Sequence, residues 1–416
     1  MNQARALYRN VIRHRSEENR RFRLWTGPRI ILGMALAVFL VGSQVTASSS
    51  TEREATRQTM QAIFDSLRFL LHLDASGEDF DDPKNRTRVL QALRELDDQA
   101  AILAAHGFSE DSGGMFLASV LERYSLLLLR SYEHGEREHV QQLLYGITDV
   151  CIACHTRLPS PNDSPVARQF IESKEFASLP PRKKAQIEVA TRRFEDALAT
   201  FETLIESAKS IDPSGFEDLL RTYLIINIRV KGDMERPIPM LELVAERSDP
   251  HSAWGRDVEI WLESLQALRD QPYTGEPLET AREMLSTADS ASYPSRRSAL
   301  VEYIAASSLL NRYLRSNPPD TKDVSEAHYL LGLAEFRIRP DEWLPHAELY
   351  LEVAIVLAPD AKWAQPAYEL LVEKIDQTYG GSPGGPPPEV VERLRELKEA
   401  IDSSRPSNAA NAAASV

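Results

Sequence analysis

Between about residues 52 and 158 an apolar side chain recurs every three or four positions in four successive stretches. Met60, Ile63, Phe64, Leu67 and Leu71 form the first; Val89, Leu93, Leu96, Ala100 and Leu103 the second. Phe116, Val120, Tyr124 and Leu127 follow, then Val140, Leu143, Ile147, Val150 and Cys154. This is the period of helices that bury one face. Turn-forming residues separate the stretches at Asp74 to Pro83, Gly107 to Gly114, and His134-Gly135. Short connections favour antiparallel neighbours, so the pattern predicts an up-down four-helix bundle over residues 50–160.

A Pro/Ser/Asp-containing linker occupies 161–183, and from 184 to 376 the pattern is helical again, without a strand-like run. Gly380 to Pro388 breaks the chain before one more helix, Val390 to Ile401, and an Ala/Asn/Ser tail with the composition of a disordered end. The predicted fold class is therefore all-α.

Charge narrows the partners. The 416 residues carry a formal net charge of −14 at pH 7. Residues 1–47 hold eight arginines against Glu17 and Glu18, and removing that net +6 leaves −20 for the rest. Such a surface repels nucleic acid and anionic lipid and favours basic partners. The same N-terminal stretch has the form of an export signal. Basic residues end at Arg29, an apolar run from Ile30 to Val41 follows, and Val45-Thr46-Ala47 supplies small residues at a cleavage position. The apolar run is shorter than the roughly 20 residues of a membrane span, so cleavage after Ala47 is expected. The long basic segment before it keeps a retained N-terminal anchor as the alternative. Either way the expected compartment is the periplasm.

The chain has two cysteines, and they stand in one motif: Cys151-Ile152-Ala153-Cys154-His155. This reads as a c-type haem attachment site. Each thiol can add across a haem vinyl group as a thioether, and the adjacent imidazole can reach the iron. On a helix, at about 100° per residue, Cys154 lies about −60° and His155 about +40° from Cys151, so all three side chains share a face. Three other readings compete. A structural zinc site needs four ligands, and no second Cys/His cluster follows. A disulfide would close only a very short loop. A thioredoxin-type redox pair opens a helix after a buried strand, whereas this motif follows a helical period and precedes Pro159 and Pro161.

Four helices with Cys-x-x-Cys-His at the end of the last resemble the cytochrome c prime family and its low-spin relatives, over roughly residues 50–160. The resemblance implies one covalent haem c, held by Cys151 and Cys154, with His155 as proximal iron ligand. Low-spin relatives carry a methionine as sixth ligand in the first helix, and Met60, three residues after Arg57, stands there. High-spin members leave that side open and apolar. Met60 is also an ordinary core residue by its spacing, and His72 is the other candidate for the sixth position. His106, His134 and His139 fall at helix ends or among polar residues. Arg57 and Arg157 suit either a haem propionate or an exposed salt bridge.

In the second helical region Leu331-Gly332, Ala347, Leu351, Ala354 and Pro359 resemble a tetratricopeptide repeat, although Gly332 to Ala347 is three residues longer than usual. Phe194, Ala197, Phe201 and Leu204 look like a weaker copy, and Trp363, Ala367, Leu370 and Leu371 like the helix after a repeat. Such residues serve architecture, and stacked helical hairpins offer a binding surface. Nothing combines a nucleophile, a base and a Gly-rich turn, so no enzyme is expected. Glu348/Glu352 and Glu369/Glu373 read as solvated helix faces. The expected function is electron transfer by a monohaem c-type cytochrome that docks a protein partner through its helical repeats. The alternatives are a five-coordinate haem protein binding NO or CO, and a scaffold for a periplasmic complex.

Overall fold

The computed structural model describes residues 45–76, 82–106, 112–160, 172, 174–211, 213–290, 296–316, 318–339, 346–379 and 385–404. The export-type segment and the Ala/Asn/Ser tail thus lie outside the described residues, apart from Val45 to Ala47 at the start of the first helix. Every regular element among the described residues is a helix, and none of these helices is long and apolar enough to cross a membrane. The chain is all-α.

The described residues form two compact units. The smaller holds everything up to Val150 together with 172–177; the larger holds Cys151 to Ser160 and everything from Ser178 onward. In the smaller unit lie helices α1 (Val45–Ser76), α2 (Pro83–His106), α3 (Ser112–His134) and most of α4 (Arg137–His155). Helix α1 packs on α2 and α2 on α3. The apolar stripes explain why. Ile63, Phe64, Leu67 and Leu71 are buried on α1, and Val89, Leu93, Leu96, Ala100 and Leu103 on α2. On α3 the buried set runs Phe116, Val120, Tyr124 and Leu128. Leu128 takes the inner position assigned by sequence to Leu127, because the buried row keeps the i, i+4 step of Phe116, Val120 and Tyr124 to its end. Ser125 of α3 donates to Asp97 of α2 at 3.3 Å, satisfying two buried polar groups together. Gly146 of α4 lies against the Tyr124 ring of α3, with room for no side chain between them.

The short helix α5 (Lys174–Ala177) belongs to the smaller unit, and the larger unit continues with α6 (Pro181–Ala190), α7 (Phe194–Ser207) and α8 (Pro213–Ile225). A π-helical stretch, Ile226–Lys231, follows directly. Then come α9 (Pro237–Arg247), α10 (Ala253–Asp270), α11 (Pro277–Ala288), α12 (Leu300–Arg315), α13 (Thr321–Ile338), α14 (His346–Leu357), α15 (Ala364–Tyr379) and α16 (Pro388–Ser404). From α11 to α16 each helix packs on its successor, and several also touch the next but one.

Two cores result. Trp261, Tyr223, Tyr303 and Phe194 lie in the larger. In the smaller, Leu397 and Ile401 of α16 join Leu333, Phe336 and Leu351. The final helix packs on α14 and α15 and completes that core.

Candidate functional site around Cys151, Cys154 and His155

The Cys-x-x-Cys-His segment is the last turn of α4, as the sequence period requires. The hydroxyl and the amide of Thr156 both donate to the carbonyl of Ile152, at 2.8 and 2.9 Å. The Ile152 side chain is buried in the same apolar core as Ala185, Val189 and Phe194, which fixes this turn in the larger unit. Cys151 and Cys154 are half-buried thiols, not joined in a disulfide.

His155 is pinned from across the chain. Its Nδ1 lies 2.7 Å from the carbonyl oxygen of Ala190, the last residue of α6. A carbonyl only accepts, so Nδ1 carries the proton and Nε2 keeps its lone pair. Part of the residue remains accessible, yet the surrounding protein pushes the pKa of the imidazole down to about 4. Burial is the main cause and the positive charge of Arg192 the second, while the Ala190 hydrogen bond works the other way. At neutral pH this histidine is a neutral base with one nitrogen committed and one available.

Arg192 is a residue that sequence periodicity had no means of finding. It is the only non-glycine residue with positive φ among the described residues, at 61°. A left-handed arginine is costly, by about 1–3 kcal/mol, and persists only where its surroundings hold it. Its amide donates to Val189, its guanidinium donates to the hydroxyl of Ser160, and the next amide, that of Arg193, donates to Glu188. The segment after the motif is tied down as well. Ser160 donates its amide to Val230 at 3.1 Å, and Arg157 donates to Asn311 at 3.3 Å. Arg157 is buried, so of the two readings open for it an exposed salt bridge does not apply.

The other candidate residues lie in the smaller unit. Met60 is half-buried on α1, beside the buried Thr59. Arg57 is exposed and forms two hydrogen bonds to Glu54, at 2.9 and 2.7 Å. His72 is half-buried. His134 is exposed and bonded to the carbonyl of Arg130, and His139 sits against Ser131 and Glu136. His106 ends α2, and its side chain lies outside the described residues. Among the described residues no three His, Cys, Asp or Glu side chains gather as a metal cage requires.

One sequence reading is corrected here. Glu352 is not on a solvated face: it is 2% exposed and pairs with Arg393 of α16. The final helix, remote in sequence, covers it. Glu369 is exposed as expected. No protein-family model, no curated protein and no solved structure matches this chain.

Proposed function

We propose that this chain is a monohaem c-type cytochrome that transfers electrons outside the cytoplasm and docks a protein partner through its helical hairpins. The observation that carries the reading is the arrangement at the end of α4. Two half-buried thiols and an imidazole share one helical turn, and the imidazole has its Nδ1 proton committed to Ala190. That hydrogen bond sets the tautomer and the ring plane, as the outer partner of a metal-ligating histidine does. The depressed pKa keeps Nε2 unprotonated at any physiological pH. The donor set therefore fits a haem c, with Cys151 and Cys154 as the attachment points and His155 as the proximal ligand. A single imidazole and two thioethers need no cage of three ligating side chains.

When bound, the haem supplies one-electron exchange between ferric and ferrous iron. The chain's own residues hold and tune the site: Ile152 anchors the turn, Ala190 orients His155, and Arg192 places positive charge near the imidazole. The thiols stand at the C-terminal end of a helix, where the dipole disfavours negative charge. A thioredoxin-type pair draws on the opposite end, so the position favours attachment over dithiol exchange. Met60 remains the proposed sixth ligand.

The tetratricopeptide-like reading of α13 and α14 has support at Gly332. A Cβ there would stand 2.8 Å from Leu351 and 3.2 Å from the carbonyl of Ala347, so the glycine lets the two helices approach.

The test is co-expression of the full chain with haem-attachment machinery, followed by intact mass and visible spectra. The expected result is one porphyrin increment, lost when Cys151 and Cys154 are both changed to alanine, and a spin state altered by Met60→Ala. A mature protein without the increment sinks the cytochrome reading. Rapid CO binding by the reduced wild type would move the function to gas binding instead.

A further inference from the structure

The turn between α6 and α7 carries a cation, Arg192, that no described carboxylate neutralises. Its place is fixed from two directions. Through the backbone it follows Ala190 by two residues, and the Ala190 carbonyl holds the Nδ1 of His155 at 2.7 Å. Through its head it donates to the hydroxyl of Ser160, a buried residue five positions beyond His155. His155, Ala190, Arg192 and Ser160 all belong to the larger unit. The guanidinium is thereby laced to both ends of the segment that begins with the proximal imidazole.

The charge itself has no use within this arrangement. Ser160 is a neutral acceptor and takes one of the five donors of a guanidinium. The Nε of Arg192 is buried without a hydrogen-bond partner. Nearby acids are engaged elsewhere. Asp196 accepts from Arg193 at 2.6 Å, Glu188 accepts from Thr200 at 2.9 Å, and Glu195 pairs with Lys231 and Arg236. A half-buried cation without a counter-charge costs free energy that an arriving anion returns.

The backbone adds a second observation. At φ 61° this position suits glycine or asparagine, and a long side chain there is strained. A neutral hydrogen bond to Ser160 does not require a permanent charge. The strained position therefore supports a group whose charge is still to be matched.

We propose that Arg192 is the seat of a haem propionate, its guanidinium paired with one carboxylate of the haem c carried by Cys151 and Cys154. The inference rests on the haem reading of that motif. A propionate brings both the missing negative charge and acceptors for the remaining donors, in the planar pairing that a guanidinium offers a carboxylate. An unpaired propionate favours ferric iron, so the same contact raises the reduction potential.

The test uses the full chain matured with haem-attachment machinery, as wild type, Arg192→Gly and Arg192→Lys. Glycine removes the cation and relaxes the left-handed backbone, whereas lysine keeps the charge. All three are expected to carry the porphyrin mass. Arg192→Gly should lower the midpoint potential by about 59 mV, an about tenfold shift in the ferrous-to-ferric ratio for one electron. It should also move the propionate bending band in the resonance Raman spectrum, and Arg192→Lys should recover most of the potential. A wild type without haem sinks the cytochrome reading and this proposal with it. A loaded Arg192→Gly with wild-type potential, or with an unmoved propionate band, overturns the propionate seat alone, as does a lysine variant as low as the glycine one. If Arg192→Gly does not mature, Arg192→Asn, the other residue suited to that φ, decides by the same outcomes.

Discussion

At the scale of single residues the structure is governed by buried polar groups and what holds them. His328 illustrates this outside the candidate site. It is 4% exposed on α13, its Nδ1 bonds to the carbonyl of Val324, and burial pushes its pKa down to about 4. Its ring also lies against Tyr350. An unfolded histidine takes up a proton near pH 6.5, so below that pH the unfolded chain binds a proton that the folded chain refuses. The stability contributed by the neutral ring is complete above pH 6.5, erodes as pH falls, and is gone by about pH 4. One pKa unit corresponds to about 1.4 kcal/mol, so the loss across the window reaches about 3 kcal/mol. His328→Phe should flatten that part of the pH dependence in urea unfolding of the unloaded chain. Parallel curves for wild type and variant would show that the ring does not titrate as described. His155 shares the same direction for the same main cause, which is why the two are best separated by substitution.

At the scale of elements, close approach of helices depends on a few small residues. Gly332 faces Leu351 and the Ala347 carbonyl, and a valine there must push α13 and α14 apart or distort them. Overpacking of this kind typically costs 1–3 kcal/mol. Gly332→Val should lower the unfolding free energy by about 2 kcal/mol in chemical denaturation, in the middle of that range. An unchanged midpoint would mean that the helices are not in contact there. The resemblance to a tetratricopeptide repeat had placed Gly332 and Ala347 at the positions where small residues let two antiparallel helices approach. The π-helical stretch after α8 had no such signature. Ile225, Ile226, Ile228 and Val230 are all buried, so the apolar pattern is as dense as in an ordinary helix, and only the closing Gly232 breaks it.

The whole molecule is acidic, and its proposed partner is a protein. Association with a basic redox partner should accordingly slow as salt rises from 50 to 500 mM, since screening shortens to a few ångströms over that range. Stopped-flow reduction of the haem-loaded chain would measure it. A rate independent of salt would remove charge from the account of partner choice. The final helix is a molecular-scale feature in the same sense. By packing on α14 and α15 and placing Arg393 beside Glu352, it makes the position of Glu352 an interior one.

What the amino-acid order determined alone was the helical class, most of the buried faces, and the motif Cys151-x-x-Cys154-His155. Each of these depends on neighbours within a few positions, and a 3.6-residue period exposes such relations directly. The tertiary structure decided which distant groups meet the motif: Ala190 on the Nδ1 of His155, Arg192 beside it, Asn311 on Arg157, and Ile152 in the core of the larger unit. These contacts join residues 35 to 154 positions apart. Packing selects such partners through volume and hydrogen-bond satisfaction, neither of which leaves a periodic trace along the chain.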